Sequence, residues 1–343
     1  MLVILADDLT GALDSAAPFA GRGLHTEVAL SVEAVGDALA QSPAVLAVNV
    51  ASREIAPEAA RELTADVLRH LPQHARIFKK VDSRLKGNIA AELDAMSFKR
   101  ALVAPAIPDF GRVVADGHIS GFGVDLPIRV ADTLGAHGAL AFIPDTASQP
   151  DMAAALTEGE RQGCDLLVGA RGLADALARQ MTCIADLPLP PLESGPLLMV
   201  IGSRDPITLR QVEELRQDGL VDYHAAPAGR LPHPLQPLSA AVTLVQATEG
   251  EMAASPVEVS ASLAEGVVPA LTGSAAALLL SGGATAEAVL AKMGIARFRL
   301  LGECRPGLGL ASAGGWHIIT KSGGFGSPET LRDIADEILR RAA

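Results

Sequence analysis

The sequence predicts an α/β protein built of two doubly wound domains, each with a mostly parallel sheet, and with an interdomain cleft. Three observations carry that expectation. Short apolar runs alternate with helix-length segments along almost all of the 343 residues. Aromatic residues make up only 3% while Ala, Leu, Val and Gly abound, which suits helices packed closely on a buried sheet. The alternation is also interrupted once, by Leu187-Pro-Leu-Pro-Pro-Leu-Glu-Ser-Gly-Pro196. Prolines at that density support neither a helix nor a strand ladder, so domains are expected over 1–190 and 196–343, and the length suffices for two cores.

The first strand is expected at 2–6, a purely apolar run that ends on the acids Asp7 and Asp8. It has no basic flank and is too short to be a signal peptide or a membrane span, so it reads as a buried strand. Further apolar runs predict strands at 27–30, 45–50, 76–79, 102–104 and 166–169, with helices at 11–22, 57–70, 89–96 and 152–162 between them. After the proline-rich break the pattern restarts with a strand at 197–201 and a helix at 208–218. Strands follow at 242–245, 277–280, 298–301 and 318–320, with helices at 256–271, 286–292 and 329–341. The segment 225–238 is rich in Pro and Gly and is expected to be a loop.

Charge narrows the function classes. Lys+Arg 28 against Asp+Glu 40 gives a net charge of -12, and no local basic run offers a face for nucleic acid. An anionic small molecule is not excluded, because a pocket can gather a few cations. Cys164, Cys183 and Cys304 are far apart and form no C-x-x-C pair. They read as reduced thiols of a cytoplasmic protein, not as a disulfide frame or zinc site. No membrane partner is expected, and a homo-oligomer stays open.

Chemistry-bearing residues gather at the ends of the expected strands. Ala6-Asp-Asp-Leu-Thr-Gly-Ala12 follows the first strand, where open α/β sheets place ligands. Its acids can accept hydroxyls, hold a metal or simply cap a helix. The spacing counts against a haloacid-dehalogenase-type phosphatase: that motif needs one residue between its aspartates and then Gly-Thr, whereas here Asp7 and Asp8 are adjacent and Thr10 precedes Gly11. Phe78-Lys-Lys-Val-Asp-Ser-Arg-Leu-Lys-Gly-Asn88 gathers cations around one carboxylate and one hydroxyl. That is what a carboxylate-bearing alcohol needs if its hydroxyl is to be deprotonated toward a phosphoryl group. A solvated basic turn is the bland reading, and the strand-end position favours function. Asn49-Val-Ala-Ser-Arg53 brings an arginine to another strand end, either as a surface residue or as a fork for a carboxylate.

In the second half, Ile201-Gly-Ser-Arg204, Leu280-Ser-Gly-Gly-Ala-Thr285 and Thr320-Lys-Ser-Gly-Gly-Phe-Gly326 are glycine turns after apolar strands. Glycines let backbone N–H groups approach phosphate, and a helix N-terminus favours negative charge. None is a Walker A loop or a dinucleotide fingerprint. A single Gly-Gly is usually only a turn, but three strand ends of this kind point to a phosphate site. The eight histidines have no metal spacing; His118 alone is placed near a pocket, with a structural role its more ordinary status.

Taken together, the segments resemble the four-carbon acid sugar kinase family, long catalogued as a domain of unknown function. The resemblance rests on Ala6-Asp-Asp-Leu-Thr-Gly11 with Asp14, Ser52-Arg53, Lys79-Lys-Val-Asp-Ser83 with Gly87-Asn88, and Pro105-Ala-Ile-Pro108 with Gly111-Arg112 and Gly117-His118. It continues with Gly202-Ser203, Ser281-Gly-Gly-Ala-Thr285, Gly302-Glu303 with Pro306-Gly307, and Thr320-Lys-Ser-Gly-Gly-Phe-Gly326. These occur in family order over nearly the whole chain.

The resemblance implies an N-terminal domain for the acid sugar, a C-terminal domain for ATP with Mg2+, and phosphorylation of a terminal hydroxyl of a threonate, erythronate or oxo-tetronate type of substrate. Asp7, Arg53, Lys80, Val81, Asp82 and Ser83 would hold the substrate, with Asp8 beside them. Ser203, Gly282, Gly283, Ala284, Thr285, Gly323 and Gly324 would hold ATP. Asp82 is the first candidate for the base and Asp7 the second; Lys80 and Arg53 would pair with the substrate carboxylate. Two features depart from the family pattern. Ala284 stands where Gly-Gly-Asp-Thr usually has its aspartate, and little chain lies between 213 and 272. They define a rival expectation, a sugar-acid-binding or regulatory relative with a degenerate ATP site.

Overall fold

The computed structural model of the chain describes residues 1–192, 195–217, 219–233 and 235–342. It divides into two compact units, Met1–Leu187 and Pro188–Ala343. Among the described residues, no helix is long and apolar enough to cross a membrane.

The first unit opens with β1 (Leu2–Ala6), α1 (Leu9–Gly21), β2 (Thr26–Ala29), α2 (Val35–Leu39), β3 (Val45–Asn49), α3 (Pro57–His70), β4 (Arg76–Lys80), α4 (Ile89–Asp94) and β5 (Ala101–Ala104). It continues with β6 (Arg112–Ala115), β7 (His118–Gly121), β8 (Ile128–Arg129), α5 (Val130–Thr133), β9 (Ala141–Phe142), α6 (Gln149–Arg161), β10 (Leu166–Gly169) and α7 (Arg171–Met181). Its main sheet has the order β2-β3-β1-β4-β10-β5-β9, parallel at every pairing. Every residue of β1 and β3 is buried, which explains why these strands read as continuous apolar runs.

The topology brings three strand ends together. From β1 the chain runs outward to β2 and returns to β3, and from β3 it crosses to β4 on the other side of β1. The carboxyl ends of β3, β1 and β4 therefore meet at a topological switch point, the edge at which open α/β sheets bind ligands. Ala6 pairs with both Asn49 and Lys80, so the segments that follow all three strands emerge side by side.

A small antiparallel sheet, β6-β7-β8, was not expected from the sequence. Asp116 and Gly117, both at positive φ, make the two-residue turn between β6 and β7, the geometry that Asp-Gly serves best. The helix α7 was also not expected; it buries Leu173, Ala174, Leu177 and Ala178.

The second unit contains β11 (Leu197–Ile201), α8 (Pro206–Arg216), β12 (Asp222–Pro227), β13 (Val242–Thr248), α9 (Pro256–Val267), β14 (Ala277–Ser281), α10 (Gly283–Lys292), β15 (Arg297–Arg305), β16 (Leu308–Ala313), β17 (Trp316–Lys321) and α11 (Thr330–Ala342). The order is β12-β13-β11-β14-β17-β16-β15. It is parallel from β12 to β17 and antiparallel across β17, β16 and β15. The core joins Leu197, Met199, Ile201, Leu244, Leu279 and Ile319 from the strands to Val212, Leu331 and Ile334 from the helices.

One expectation is corrected here. The segment 225–238 does not begin as a loop: its first residues belong to β12, which pairs with β13 through Pro227. An edge strand tolerates a proline because one side needs no ladder donor, and Arg216 stacking 3.6 Å above the Tyr223 ring secures it. Residues Glu193 and Ser194 of the proline-rich break, the expected helix end at Asp218, and Pro234 of the expected loop lie outside the described residues.

Candidate active site

At the switch point of the first unit, two acids and one arginine form a closed cluster. Asp8 is the N-cap of α1: its Oδ1 accepts from the Gly11 amide at 2.9 Å and its Oδ2 from the Thr10 hydroxyl at 2.6 Å. Arg53 donates from Nε and Nη2 to the two oxygens of Asp7, each at 2.8 Å. It also donates from Nη1 and Nη2 to the two oxygens of Asp8, each at 2.9 Å. Two forks thus occupy four of its five N–H donors, and the fork expected to meet a substrate carboxylate is taken by Asp7 and Asp8. Burial works to raise the pKa of Asp7, but the hydrogen bonds from Arg53 and the charges of Lys79 and Lys80 outweigh it and hold the carboxyl below its usual range.

The loop carrying Arg53 is fixed from both sides. The amides of Ser52 and Arg53 donate to the Asp7 carbonyl at 3.0 and 3.2 Å. Asn88 Nδ2 donates to the carbonyls of Ser52 and Ile55, both at 2.8 Å. Two glycines leave the space the cluster needs. A Cβ on Gly11 would lie 2.9 Å from Lys80 Nζ, and one on Gly87, at φ +93°, would lie 2.9 Å from Asp7 Oδ2.

The adjacent lysines of β4 do different work because strand side chains alternate between faces. Lys79, 1% exposed, pairs with the equally buried Glu92 at 3.0 Å, and Glu92 Oε1 accepts from the Ser52 hydroxyl. That pair ties β4 to α4 and to the loop after β3. Lys80 is 5% exposed, and among the described residues its ammonium has no hydrogen-bonded carboxylate. Its charge is one of those that steady the Asp7 carboxylate, and among the described residues it makes no direct salt bridge of its own there.

Beyond β4, Val81 is buried and its amide donates to the Gly169 carbonyl at 3.0 Å, anchoring the turn. Asp82 Oδ1 accepts from the Arg84 amide at 2.9 Å, and among the described residues its Oδ2 takes no hydrogen bond. Ser83 accepts from Arg112 Nη1, and Arg112 also donates to the Phe122 carbonyl from Nε at 2.9 Å and from Nη2 at 2.6 Å. Burial and the neighbouring Arg84 lower the pKa of Arg112. His118 lies on β7 with Nδ1 2.8 Å from the Asp116 carbonyl, a structural contact.

In the second unit, the glycine turns after β11, β14 and β17 converge. The amides of Gly202 and Ser203 donate to the Ser281 carbonyl at 3.0 and 3.1 Å, and the Gly282 amide to the Lys321 carbonyl at 3.0 Å. A Cβ on Gly202 would overlap Thr285 Oγ1, and one on Gly323 would come within 2.5 Å of Ser203 Oγ. Gly282, at φ +102°, is the N-cap of α10 and supplies no capping side chain, so the first-turn amides at Gly283, Ala284 and Thr285 are open to an anion. Thr285 is buried, with Oγ1 3.2 Å from Ser260 Oγ. Ala284 is exposed and faces a cavity of about 490 Å³ lined also by Gly202, Arg204, Met252, Val259 and Gly283.

Lys321 is fully buried and donates to Thr208 Oγ1 at 2.8 Å and to the carbonyls of Ser322 and Gly323, both at 3.1 Å. Burial pushes its ammonium down to about 8, against a pull upward from Asp205. Asp205 Oδ1 caps α8 by accepting from the Ile207 amide at 2.9 Å, and its Oδ2 faces Gly324. Among the described residues, no three His, Cys, Asp or Glu side chains gather to hold a metal. Glu92, Asp205, Thr208 and Gln211 were not singled out from the sequence, and Arg112 and Lys321 were named there only within motifs, without the contacts they make.

Two family models match the chain: a sugar-binding N-terminal domain over residues 2–126 and a nucleotide-binding C-terminal domain over residues 234–331. A D-threonate kinase of Cupriavidus necator is 31% identical over 408 positions, covering 96% of each chain. A D-threonate kinase of Bordetella bronchiseptica is 28% identical over 408 positions, covering 98% of this chain and 97% of the relative. Alignments of that length exceed the 343 residues here, so the relatives carry segments that this chain lacks. A solved Salmonella typhimurium LT2 protein shares the fold with a TM-score of 0.74 at 19% identity, covering 99% of this chain and 98% of its own.

Proposed function

The chain belongs to the four-carbon acid sugar kinase family, and from that premise we propose that its first unit takes a threonate-type acid and its second unit ATP. As a sugar-acid kinase it is a phosphotransferase acting on an alcohol group. The observation that carries the substrate reading is the meeting of Asp7, Arg53 and the buried Lys80 at the carboxyl ends of β1, β3 and β4.

Lys80 holds the substrate carboxylate. Arg53 acts one step back, keeping Asp7 ionised and holding both Asp7 and Asp8 oriented as acceptors for substrate hydroxyls. Asp82, with Oδ2 open, takes the proton of the terminal hydroxyl as its oxygen bonds to the γ-phosphorus, and ADP leaves with the bridging oxygen. Ser83, fixed by Arg112, and the anchored Val81 hold the turn against the substrate. The amides at the N-terminus of α10 and along Gly323 and Gly324, with Ser203, hold the phosphates.

Mg2+ fits as an ion carried in by the nucleotide, because hard-cation sites of this kind use one or two carboxylates plus phosphate oxygens. Asp205 Oδ2 is the carboxylate available beside the Gly323–Gly324 turn. When bound, the ion neutralises charge on the transferring phosphoryl group. The chemistry of Asp205 also weighs against a degenerate nucleotide site despite Ala284. The free thiols Cys164, Cys183 and Cys304 accord with a reducing cytoplasm.

A coupled ADP-release assay over threonates, erythronates and oxo-tetronates tests this reading. Sugar-acid-dependent ADP release is expected. Binding of a sugar acid by calorimetry with no turnover of any member would replace the kinase with a binding protein.

A further inference from the structure

The loop 322–327 of the second unit is held from beneath by three side chains. Lys321 Nζ donates to the carbonyls of Ser322 and Gly323, both at 3.1 Å. Thr208 Oγ1 donates to the Gly323 carbonyl at 2.7 Å. Gln211 Nε2 donates to the carbonyls of Phe325 at 3.0 Å and Ser327 at 2.8 Å. All three side chains are buried, Thr208 and Gln211 at 0% exposure and Lys321 at 1%. Thr208 and Gln211 are three apart on α8 and so share one helical face. Because Lys321 also donates to Thr208 Oγ1, the threonine accepts from the ammonium and gives its own hydrogen to Gly323.

The polarity of these bonds has a geometric result. In a trans peptide the N–H points opposite the C=O of the same plane. With the carbonyls of Ser322, Gly323 and Phe325 drawn inward, the amides of Gly323, Gly324 and Gly326 are turned outward. Among the described residues those three amides make no hydrogen bond. Orphaned donors on one side of a glycine loop form an anion cradle, and glycines permit close approach. A Cβ on Gly326 would stand 2.6 Å from Thr330 Oγ1 and 2.9 Å from Gln211 Nε2, so the loop is glycine where the clamp is tightest.

We propose that Thr208, Gln211 and Lys321 are positioning residues that set the phosphate-binding form of the glycine loop from α8, without touching the nucleotide. The proposal rests on the reading that the second unit binds ATP. It predicts that loss of one inward donor weakens nucleotide binding alone.

The test uses the full-length protein carrying Thr208→Val, which keeps the shape and removes the hydroxyl, beside Thr208→Ser, which restores it. Melting curves establish folding, and steady-state kinetics give KM for ATP and for the sugar acid. The expected result is a rise in KM for ATP of about tenfold in Thr208→Val, the scale of one lost hydrogen bond to a buried partner. KM for the sugar acid stays unchanged, and Thr208→Ser behaves as wild type. Gln211→Leu should give the same pattern. A folded Thr208→Val with wild-type KM for ATP, or a Thr208→Ser as impaired as the valine variant, overturns the clamp. Wild-type protein that neither binds nor turns over ATP overturns the nucleotide reading itself, and the clamp as a nucleotide device falls with it.

Discussion

Arg53 and Asp7 face each other as a two-bond fork, Nε and Nη2 each 2.8 Å from a separate carboxylate oxygen, while Asp7 is only 2% exposed. The pair is what lets an ionised carboxylate persist at the buried end of β1. Arg53→Ala removes the partner and leaves the charge, a change that costs about 3 kcal/mol in buried pairs. The pH dependence has a definite sign. In the wild type the folded pKa of Asp7 lies below its ordinary value, so its contribution to stability is present above that value and lost as pH falls through the folded pKa. Without Arg53, only the charges of Lys79 and Lys80 are left to oppose burial, so the folded pKa rises relative to the wild type and the variant gains relative stability as pH falls. Melting curves should show the gap between wild type and Arg53→Ala narrowing as the pH is lowered into the carboxylate range. A gap that widens on acidification would contradict this account of Asp7.

Lys80→Met should separate binding from folding. Replacement of the buried ammonium by an apolar chain of similar length removes a charge and, with it, one of the cations that steady Asp7, two effects on stability of opposite sign. The protein should stay folded with a melting temperature close to that of the wild type, while KM for the sugar acid climbs on the order of tenfold to a hundredfold with the loss of a charge-assisted pair. ATP binding by calorimetry should be unchanged. An unaltered sugar-acid KM would remove Lys80 from the substrate site.

Asp82→Asn keeps the Arg84 amide contact to Oδ1 and removes the proton acceptor at Oδ2. The turnover number should fall by about two to four orders of magnitude, with ATP affinity retained. Near-normal turnover would dismiss Asp82 as the base and promote Asp7, despite its pairing with Arg53.

Ala284→Asp probes the glycine turn. Residue 284 is exposed at the cavity and at the start of α10, so an aspartate there is solvated and stability should be unaffected. If Mg-ATP sits at this turn, the added carboxylate tightens its binding, as hard cations gain from an extra oxygen where others are already in place. Titration calorimetry with Mg-ATP is the measurement. Equal or weaker affinity would detach this turn from the nucleotide site.

Much of the fold was legible because buried parallel strands are written as uninterrupted apolar runs, and β1, β3, β11 and β14 are of that kind. Strand ends were legible for the same reason, since Asp7 directly follows β1, Arg53 comes four residues after β3, and Lys80 closes β4. The β6–β7 hairpin carried a usable signal in Asp116-Gly117, obscured by short flanking strands of mixed polarity. β16 was hidden because Gly309, Ala311 and Ser312 lack the bulk that marks a strand. Glu92 reads as an ordinary helix acid, and its partner Ser52 is 40 residues away. Thr208 and Gln211 likewise read as solvent-facing polar residues, because only packing reveals that their face of α8 is buried. Local pattern reports periodicity; it does not report which distant carbonyl a side chain will meet.

The division of labour between Lys79 and Lys80 bears on how the site tolerates insertions and deletions. The pleat sends one ammonium to Glu92 and the next toward Gly11 and the Asp7 cluster. If β4 slipped by one residue toward its amino end or its carboxyl end, every side chain would change face. A slip in one direction would bring Lys79 to the ligand side, so an ammonium would survive there. Lys80, moved off its station, would no longer stand beside the anion seat, and the Asp82–Ser83 turn would be displaced by a full strand residue, about 3.3 Å. Charge would be conserved and reach would not. A length change upstream of β4 is thus tolerable only if a neighbouring loop absorbs it completely, which makes the spacing from strand to turn, more than the identity of the cation, the quantity that this part of the chain must keep.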